Sequence, residues 1–323
     1  MKPILPRLAL AFCLSAQLAA NTQASAQSWP SRSISLLTTF AGGGSGDIVA
    51  RTFAEFASKE LGQPVIVENR PGGGGVVAAA AVAKAAPDGY TLSIQAVGPM
   101  SLRPLFEPPV GYDPVADFTP IGLLAETPNV IASSAKFPPR TIAEMVDWAK
   151  KNPKGLTMGH PGPGTIGHLG LLLLASKTGF SGAYISYRSS GPMIPDLLSG
   201  EIDIACAAYN PLFLSEGRVL AVMTPDPVEF LPGVPSMREA GFPGIYASTW
   251  YGIVGPANLP PEVVTKVNAV MNAFLRRDDT KKRFTAVGVQ PRGGTPEQFA
   301  QKMADDKLVW SKVVKDANIK MTE

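Results

Sequence analysis

From residue 34 onward the chain alternates short β-branched runs with helical patterns, and this alternation restricts the fold more than any other feature. Residues 34–39 read as a strand, and residues 48–61 repeat Ile48, Phe53, Ala54 and Ala57 at helical spacing until Gly62 stops them. A second strand at 65–67, an Ala-rich helix over 76–86 ended by Pro87-Asp88-Gly89, and a third strand at 91–97 follow. Thr141 with Glu144 three positions on predicts a capping-box helix running to Lys151. Short strands near 156–158, 183–187, 202–207 and 219–224 are separated by helices from Thr165 and Met193. After a strand at 249–254 the chain turns strongly helical, over 261–276, 280–287 and 295–316. The pattern predicts an α/β fold with an open, mostly parallel sheet.

A length of 323 residues exceeds one typical domain. The shift to helix near residue 250 predicts that the C-terminal helices return to the first domain. The expected architecture is two lobes around a cleft: 27–127 in lobe 1, 128–249 in lobe 2, and 250–323 back in lobe 1.

Residues 1–26 are read as a secretory signal. Lys2 and Arg7 precede an apolar stretch over 8–18, and Ala24-Ser25-Ala26 supplies a cleavage site, so the mature chain is expected to be exported and to begin at Gln27. Ser15, Gln17, Asn21 and Thr22 interrupt the apolar run too often for a membrane anchor. The 29 Lys and Arg against 26 Asp and Glu give a net charge of +3, which argues against a nucleic-acid partner. Charged residues are only 17% and hydrophobic ones 45%, which argues against disorder. Cys13 leaves with the signal, so Cys206 alone remains and reads as a small buried hydrophobe.

Two glycine-rich turns stand at helix starts. Phe40-Ala41-Gly42-Gly43-Gly44-Ser45-Gly46-Asp47 joins the first strand to its helix, and Gly162-Pro163-Gly164-Thr165-Ile166-Gly167-His168 does the same farther on. Glycine lets backbone approach a ligand closely, and free N–H groups at a helix start favour an anion. A plain structural turn capped by Ser45 or Asp47 is the alternative. The first turn lacks both the dinucleotide-binding spacing and the Lys of a P-loop. His160 and His168 have no Cys or acidic cluster beside them, so no metal and no cofactor is expected. No nucleophile elbow is present, and Ser45 has no evident base, so an enzyme is not expected.

Residues 40–51 resemble the F-x-x-G-G-x-x-D-x-x-A-R opening of the Bug (TctC-like) periplasmic substrate-binding proteins of tripartite tricarboxylate transporters. Further matches come in the family's order: Val67-Glu68-Asn69-Arg70-Pro71-Gly72, Pro87-Asp88-Gly89-Tyr90-Thr91-Leu92, Tyr112-Asp113-Pro114, Asp117-Phe118-Thr119-Pro120, Gly164-Thr165 with His168-Leu169, Asp196-Leu197 with Gly200 and Asp203, and Trp250 with Gly252. The resemblance implies a two-lobed periplasmic-binding-protein (type II) fold that closes on a small carboxylate, a monomer that delivers it to membrane transporter subunits. It implies ligand contacts from Phe40, Ala41, Gly43, Gly44, Ser45, Asp47 and Gly98 on one lobe. On the other it implies Gly164, Thr165, His168, Tyr187 and Ala207. The family's V-P-Y-K-G is Ile185-Ser186-Tyr187-Arg188-Ser189 here, and its F-D is Cys206-Ala207. Without that acid, a ligand ammonium group is not expected, and Arg103 or Arg188 is a candidate for a second carboxylate. A sensor for a membrane kinase and an organic-acid enzyme are the competing readings.

Overall fold

The computed structural model describes residues 29–106, 109–152 and 154–320. The segment read as a secretory signal and its expected cleavage site lie outside the described residues. The first lobe opens with β1 (Ile34–Thr38), α1 (Ser45–Leu61) and β2 (Val65–Asn69), followed by a 3-10 turn (Gly73–Gly75), α2 (Val76–Ala83), β3 (Thr91–Ala96) and a π-helical turn (Gly98–Leu102). The second holds α3 (Ile142–Lys151), β5 (Leu156–His160), α4 (Ile166–Thr178), β6 (Gly182–Ser186), α5 (Ser190–Ser199), β7 (Ile204–Ala208), α6 (Leu212–Ser215) and β8 (Gly217–Val222). Two long strands, β4 (Phe118–Ser134) and β9 (Ser248–Pro256), join them, and α7 (Pro261–Arg276), α8 (Asp278–Ala286), β10 (Gln290–Pro291) and α9 (Pro296–Asp316) complete the chain.

Parallel pairing holds on the outer side of each lobe, where β1 lies between β2 and β3, and β5 between β6 and β7. The expectation of a mostly parallel sheet fails at the centre. β9 pairs antiparallel with β3 and β4, and β4 pairs antiparallel with β7 and β8. β4 carries the change of lobe within one strand: residues up to Pro128 pair with β9, and residues from Asn129 pair with β7 and β8. Sequence patterning misses the full extent of this strand because Pro120 and Pro128 argue against a central strand. Register shifts between Pro120 and Gly122 and between Leu123 and Ala125 accommodate the irregular stretch.

Each helix packs an apolar stripe on the sheet. In lobe 1, Val49, Ala50, Phe53 and Ala57 of α1 share a buried cluster with Ile34, Leu36, Ile253 and Met271. Burying one such side chain contributes about 1.5–3 kcal/mol, so these stripes hold the lobe together. The helix starts follow the caps. Thr141 accepts the Glu144 N–H, and Thr295 forms a reciprocal capping box with Gln298. Cys206 is fully buried beside Met223, its Sγ 3.1 Å from the thioether, and burial pushes its thiol up to about 12.

The last helix packs against the first lobe and the crossing strand β9, and the chain just beyond it reaches the second lobe. Phe299 stacks edge-on against Trp250 at 5.1 Å, Trp250 Nε1 donates to Asp306 at 2.7 Å, and Ser101 Oγ donates to Met303 O. Just beyond the end of α9, Ala317 O accepts from Ser176 Oγ of α4 at 3.0 Å. Met303, Trp310 and Ile319 of this segment share one buried cluster with residues of both lobes.

Candidate functional site

Between the lobes lies a cavity of about 640 Å³, including its open mouth. Three helix N-termini converge on it. Gly44, Ser45 and Gly46 at the start of α1 form part of the lobe 1 wall, together with Phe40, Ala41 and the turn at Val97 and Gly98. Thr165, Ile166 and Gly167 at the start of α4, and Ser189 and Ser190 at the start of α5, form the lobe 2 wall. Asn129, Thr249 and Tyr251 line it from the two crossing strands. Each N-terminus carries a partial positive charge. Arg188 is the only charged side chain among the lining residues, so the wall has no acid to oppose an anion.

The caps differ in a way that matters. Thr165 caps α4, accepting the His168 N–H and donating to Gly162 O at 2.7 Å. Gly44 at α1 offers no side chain, and Ser189 at α5 makes no capping hydrogen bond. Two of the three helix starts thus lack a side-chain cap. The Ser45 hydroxyl lies 2.9 Å from that of Tyr251, and Thr249 Oγ1 donates to Asn129 Oδ1 at 2.6 Å. Asn129 Nδ2 and Ser189 Oγ are buried without a hydrogen-bond partner. An unsatisfied buried polar group costs about 1–3 kcal/mol, so both are groups a ligand could satisfy.

Asp47 shapes the first turn from behind the wall. Its carboxylate accepts from Gly43 N at 3.2 Å, Arg51 Nε at 3.0 Å and Asn69 Nδ2 at 2.7 Å. Burial raises its pKa, but the hydrogen bonds from Arg51, Asn69 and Gly43 outweigh that and hold the carboxyl below its ordinary range. Gly43 sits at φ +88°, where a side chain would be strained.

The second turn rests on the two histidines. Gly162 N–H donates to His160 Nδ1 at 3.3 Å, and Gly164 N–H donates to His168 Nδ1 at 3.2 Å. The rings stack at 4.1 Å. Burial lowers His160 to about 4; burial, with a smaller contribution from His160, lowers His168 to about 3. Both rings are therefore neutral acceptors that hold the backbone of the turn. Among the described residues no group of three His, Cys, Asp or Glu side chains is placed to hold a metal ion.

Glycines let the lobes touch on either side of the cavity. A Cβ built on Gly191 would stand 2.8 Å from Gly42 O, and one on Gly162 would stand 3.1 Å from Gly74 N. One built on Gly98 would be 3.4 Å from Gly164 O. The contacts at both lips leave no room for side chains, so the lobes meet on either side of the cavity.

Of the residues expected to meet a ligand, Phe40, Ala41, Gly44, Ser45, Gly98 and Thr165 line the cavity. The others do not. Gly43 and Asp47 form the underside of the first turn, and Gly164 packs against Arg103. His168 is fully buried beneath the second turn. The Tyr187 hydroxyl donates to Asp196 at 2.6 Å. Ala207 pairs with Val130 and faces the core of lobe 2, whereas Ala208, opposite Asn129, faces the cavity. Strand alternation makes a one-residue error a change of face. Arg188 lines the cavity; Arg103 does not, and its Nη1 donates to Phe106 O at 3.2 Å. Sequence reasoning missed Asn129, Thr249 and Tyr251, which only the pairing of β4 with β9 brings together.

Residues 49–319 match the model of the tripartite tricarboxylate transporter family receptor, TctC. The chain is 31% identical to Protein BugT of Bordetella pertussis over 302 residues, covering 92% of this chain and 93% of that protein. It superposes with a TM-score of 0.87 on an R. palustris structure with adipate, at 33% identity, covering 90% of this chain and 99% of that one. It also matches MatC from Rhodopseudomonas palustris with bound malate, with a TM-score of 0.85 and 30% identity, covering 88% and 100%.

Proposed function

Because this chain belongs to the TctC receptor family of tripartite tricarboxylate transporters, we propose that it captures a small organic carboxylate in the interlobe cavity and hands it to the membrane subunits of such a transporter. The observation that carries the reading is the convergence of three helix N-termini on a wall without an acidic side chain. The adipate and malate in related structures are both dicarboxylates, and they support the same ligand class here. The absence of an acid on the wall also favours a ligand without an ammonium group.

Delivery requires the partner to distinguish loaded from empty protein. The lobes are joined by β4 and β9, which pair at Thr127 with Thr249 and at Pro128 with Ser248, and rotation about these residues would open the cleft with little change inside either lobe. A ligand that touches both lobes favours the closed form by the difference in its affinity for the two. We place the mature protein in the periplasm as a monomer, with cleavage after Ala26.

A thermal-shift screen of organic acids tests the reading. A ligand at 100 times its dissociation constant stabilises by about 2.7 kcal/mol. Di- and tricarboxylates should raise the melting temperature, and calorimetry should give a single site. A response to amino acids or sugars in preference to acids would refute it. Mass spectrometry of the exported protein should find Gln27 at its start.

A further inference from the structure

Most side-chain hydroxyls around the cavity are engaged with the protein rather than held out to a ligand. Ser45, at the start of α1, lies 2.9 Å from the Tyr251 hydroxyl, and Thr249 Oγ1 donates to Asn129 Oδ1 at 2.6 Å. Thr165 Oγ1 donates to Gly162 O at 2.7 Å while accepting the His168 N–H. Thr39 Oγ1 is pressed against Gly75, where a Cβ would come within 2.7 Å of it. The other polar side chains of the wall are Arg188, Ser189 and Ser190, consecutive residues leading into α5.

The Ser45–Tyr251 pair is the most constrained of these. Tyr251 is fully buried and its ring meets Phe40 edge-on at 5.2 Å. Phe40 is held in turn by Gly46, since a Cβ there would stand 2.5 Å from its ring. Burial pushes the Tyr251 phenol above its ordinary range, so at neutral pH it is a hydroxyl, and it has no room to swing away from Ser45. Between the helix starts the wall is hydrocarbon, from Phe40, Val97, Pro99, Pro161, Ile166 and Ala208. The body of a ligand therefore meets carbon, or oxygen atoms that already have partners. A hydroxyl on that body loses water and gains little in return. Resting on the carboxylate reading above, we propose that the cavity selects acids with an unsubstituted hydrocarbon body, chain or ring, and discriminates against hydroxy acids. The Ser45–Tyr251 pair is the main specificity-determining feature, and the Asn129–Thr249 pair supports it.

The test is calorimetry at neutral pH on pairs of acids that differ by one hydroxyl: succinate and malate, glutarate and 2-hydroxyglutarate, tricarballylate and citrate. In each pair that binds, the wild type takes the hydroxyl-free acid about ten- to hundred-fold more tightly. Tyr251→Phe keeps the ring and releases the Ser45 hydroxyl to the cavity, so the ratio within a pair narrows. Thr249→Val releases Asn129 Oδ1 and narrows it as well, which provides the same reading if Tyr251→Phe does not fold; unliganded melting temperatures are the folding control. Equal affinities within the pairs, or tighter binding of the hydroxy acids by the wild type, overturn the inference while the carboxylate reading stands. Ratios as wide as the wild type's in the folded variants overturn the role of the paired hydroxyls. If none of the six acids binds the wild type, the carboxylate reading falls and this inference falls with it.

Discussion

Acidification should destabilise the protein through its two histidines before any carboxylate titrates. Both are buried as neutral rings whose Nδ1 atoms accept backbone N–H groups, with folded pKa values of about 4 and about 3. In the unfolded chain each titrates near 6.5. The unfolded state therefore binds protons first, and the contribution of each ring is complete above about pH 6.5 and lost as pH falls toward its folded value. At pH 5 the loss is about 2 kcal/mol per histidine, or about 4 kcal/mol for the pair, against a total stability of about 5–15 kcal/mol. The chain has only these two histidines, so the window between pH 6.5 and 5 belongs to them. The elements packed around the rings add no compensating acid: the stacked partner and the edge of Tyr184 at 5.8 Å are their aromatic neighbours. Urea unfolding at pH 7 and pH 5 measures the effect. The double variant His160→Asn, His168→Asn keeps an acceptor near each Nδ1 position and should flatten the dependence, at some cost in packing. A wild-type stability that differs by less than about 1 kcal/mol between the two pH values would refute the neutral, buried assignment.

Two further outcomes follow from the same geometry. Gly191→Ala should leave the unliganded protein as stable or slightly more stable, because alanine is the better helix former by up to about 1 kcal/mol. It should nevertheless bind ligand more weakly, since its methyl meets Gly42 O only when the cleft is shut; calorimetry and small-angle scattering would show weaker binding and a larger radius of gyration at a given ligand concentration. Asp47→Ala should cost about 2 kcal/mol by releasing Gly43 N, Arg51 and Asn69, and should weaken binding through the turn although Asp47 does not line the cavity.

Local rules carried most of the fold. The caps at Thr141, Thr165 and Thr295 and the stop at Gly62 are written in residue types within one turn of each other, and the helices begin and end close to them. The length of the crossing strand β4 was not legible, because Pro120 and Pro128 look like breakers until β9 and the bulges beside it are known. The glycine turns announced the cavity for a similar local reason, since both place backbone N–H groups at a helix start. Asn129 and Tyr251 could not be found that way. They lie 122 residues apart in the sequence and meet only through antiparallel pairing. His168 and Asp47 sit inside the motifs yet face inward, so the same residues that mark the site support it from beneath. Ala207 shows the limit of strand reading, where the neighbour rather than the expected residue faces the cavity.

The most direct measurement is a crystal structure of the protein soaked or grown with adipate, a ligand carried by a structural relative. The account predicts a carboxylate inside the interlobe cavity, within hydrogen-bond distance of the helix starts that line it, with the lobes closed as Gly42 and Gly191 now meet. Adipate density confined to a surface groove, such as the one lined by Phe56, Lys59 and Arg277, with an empty interlobe cavity, would contradict it.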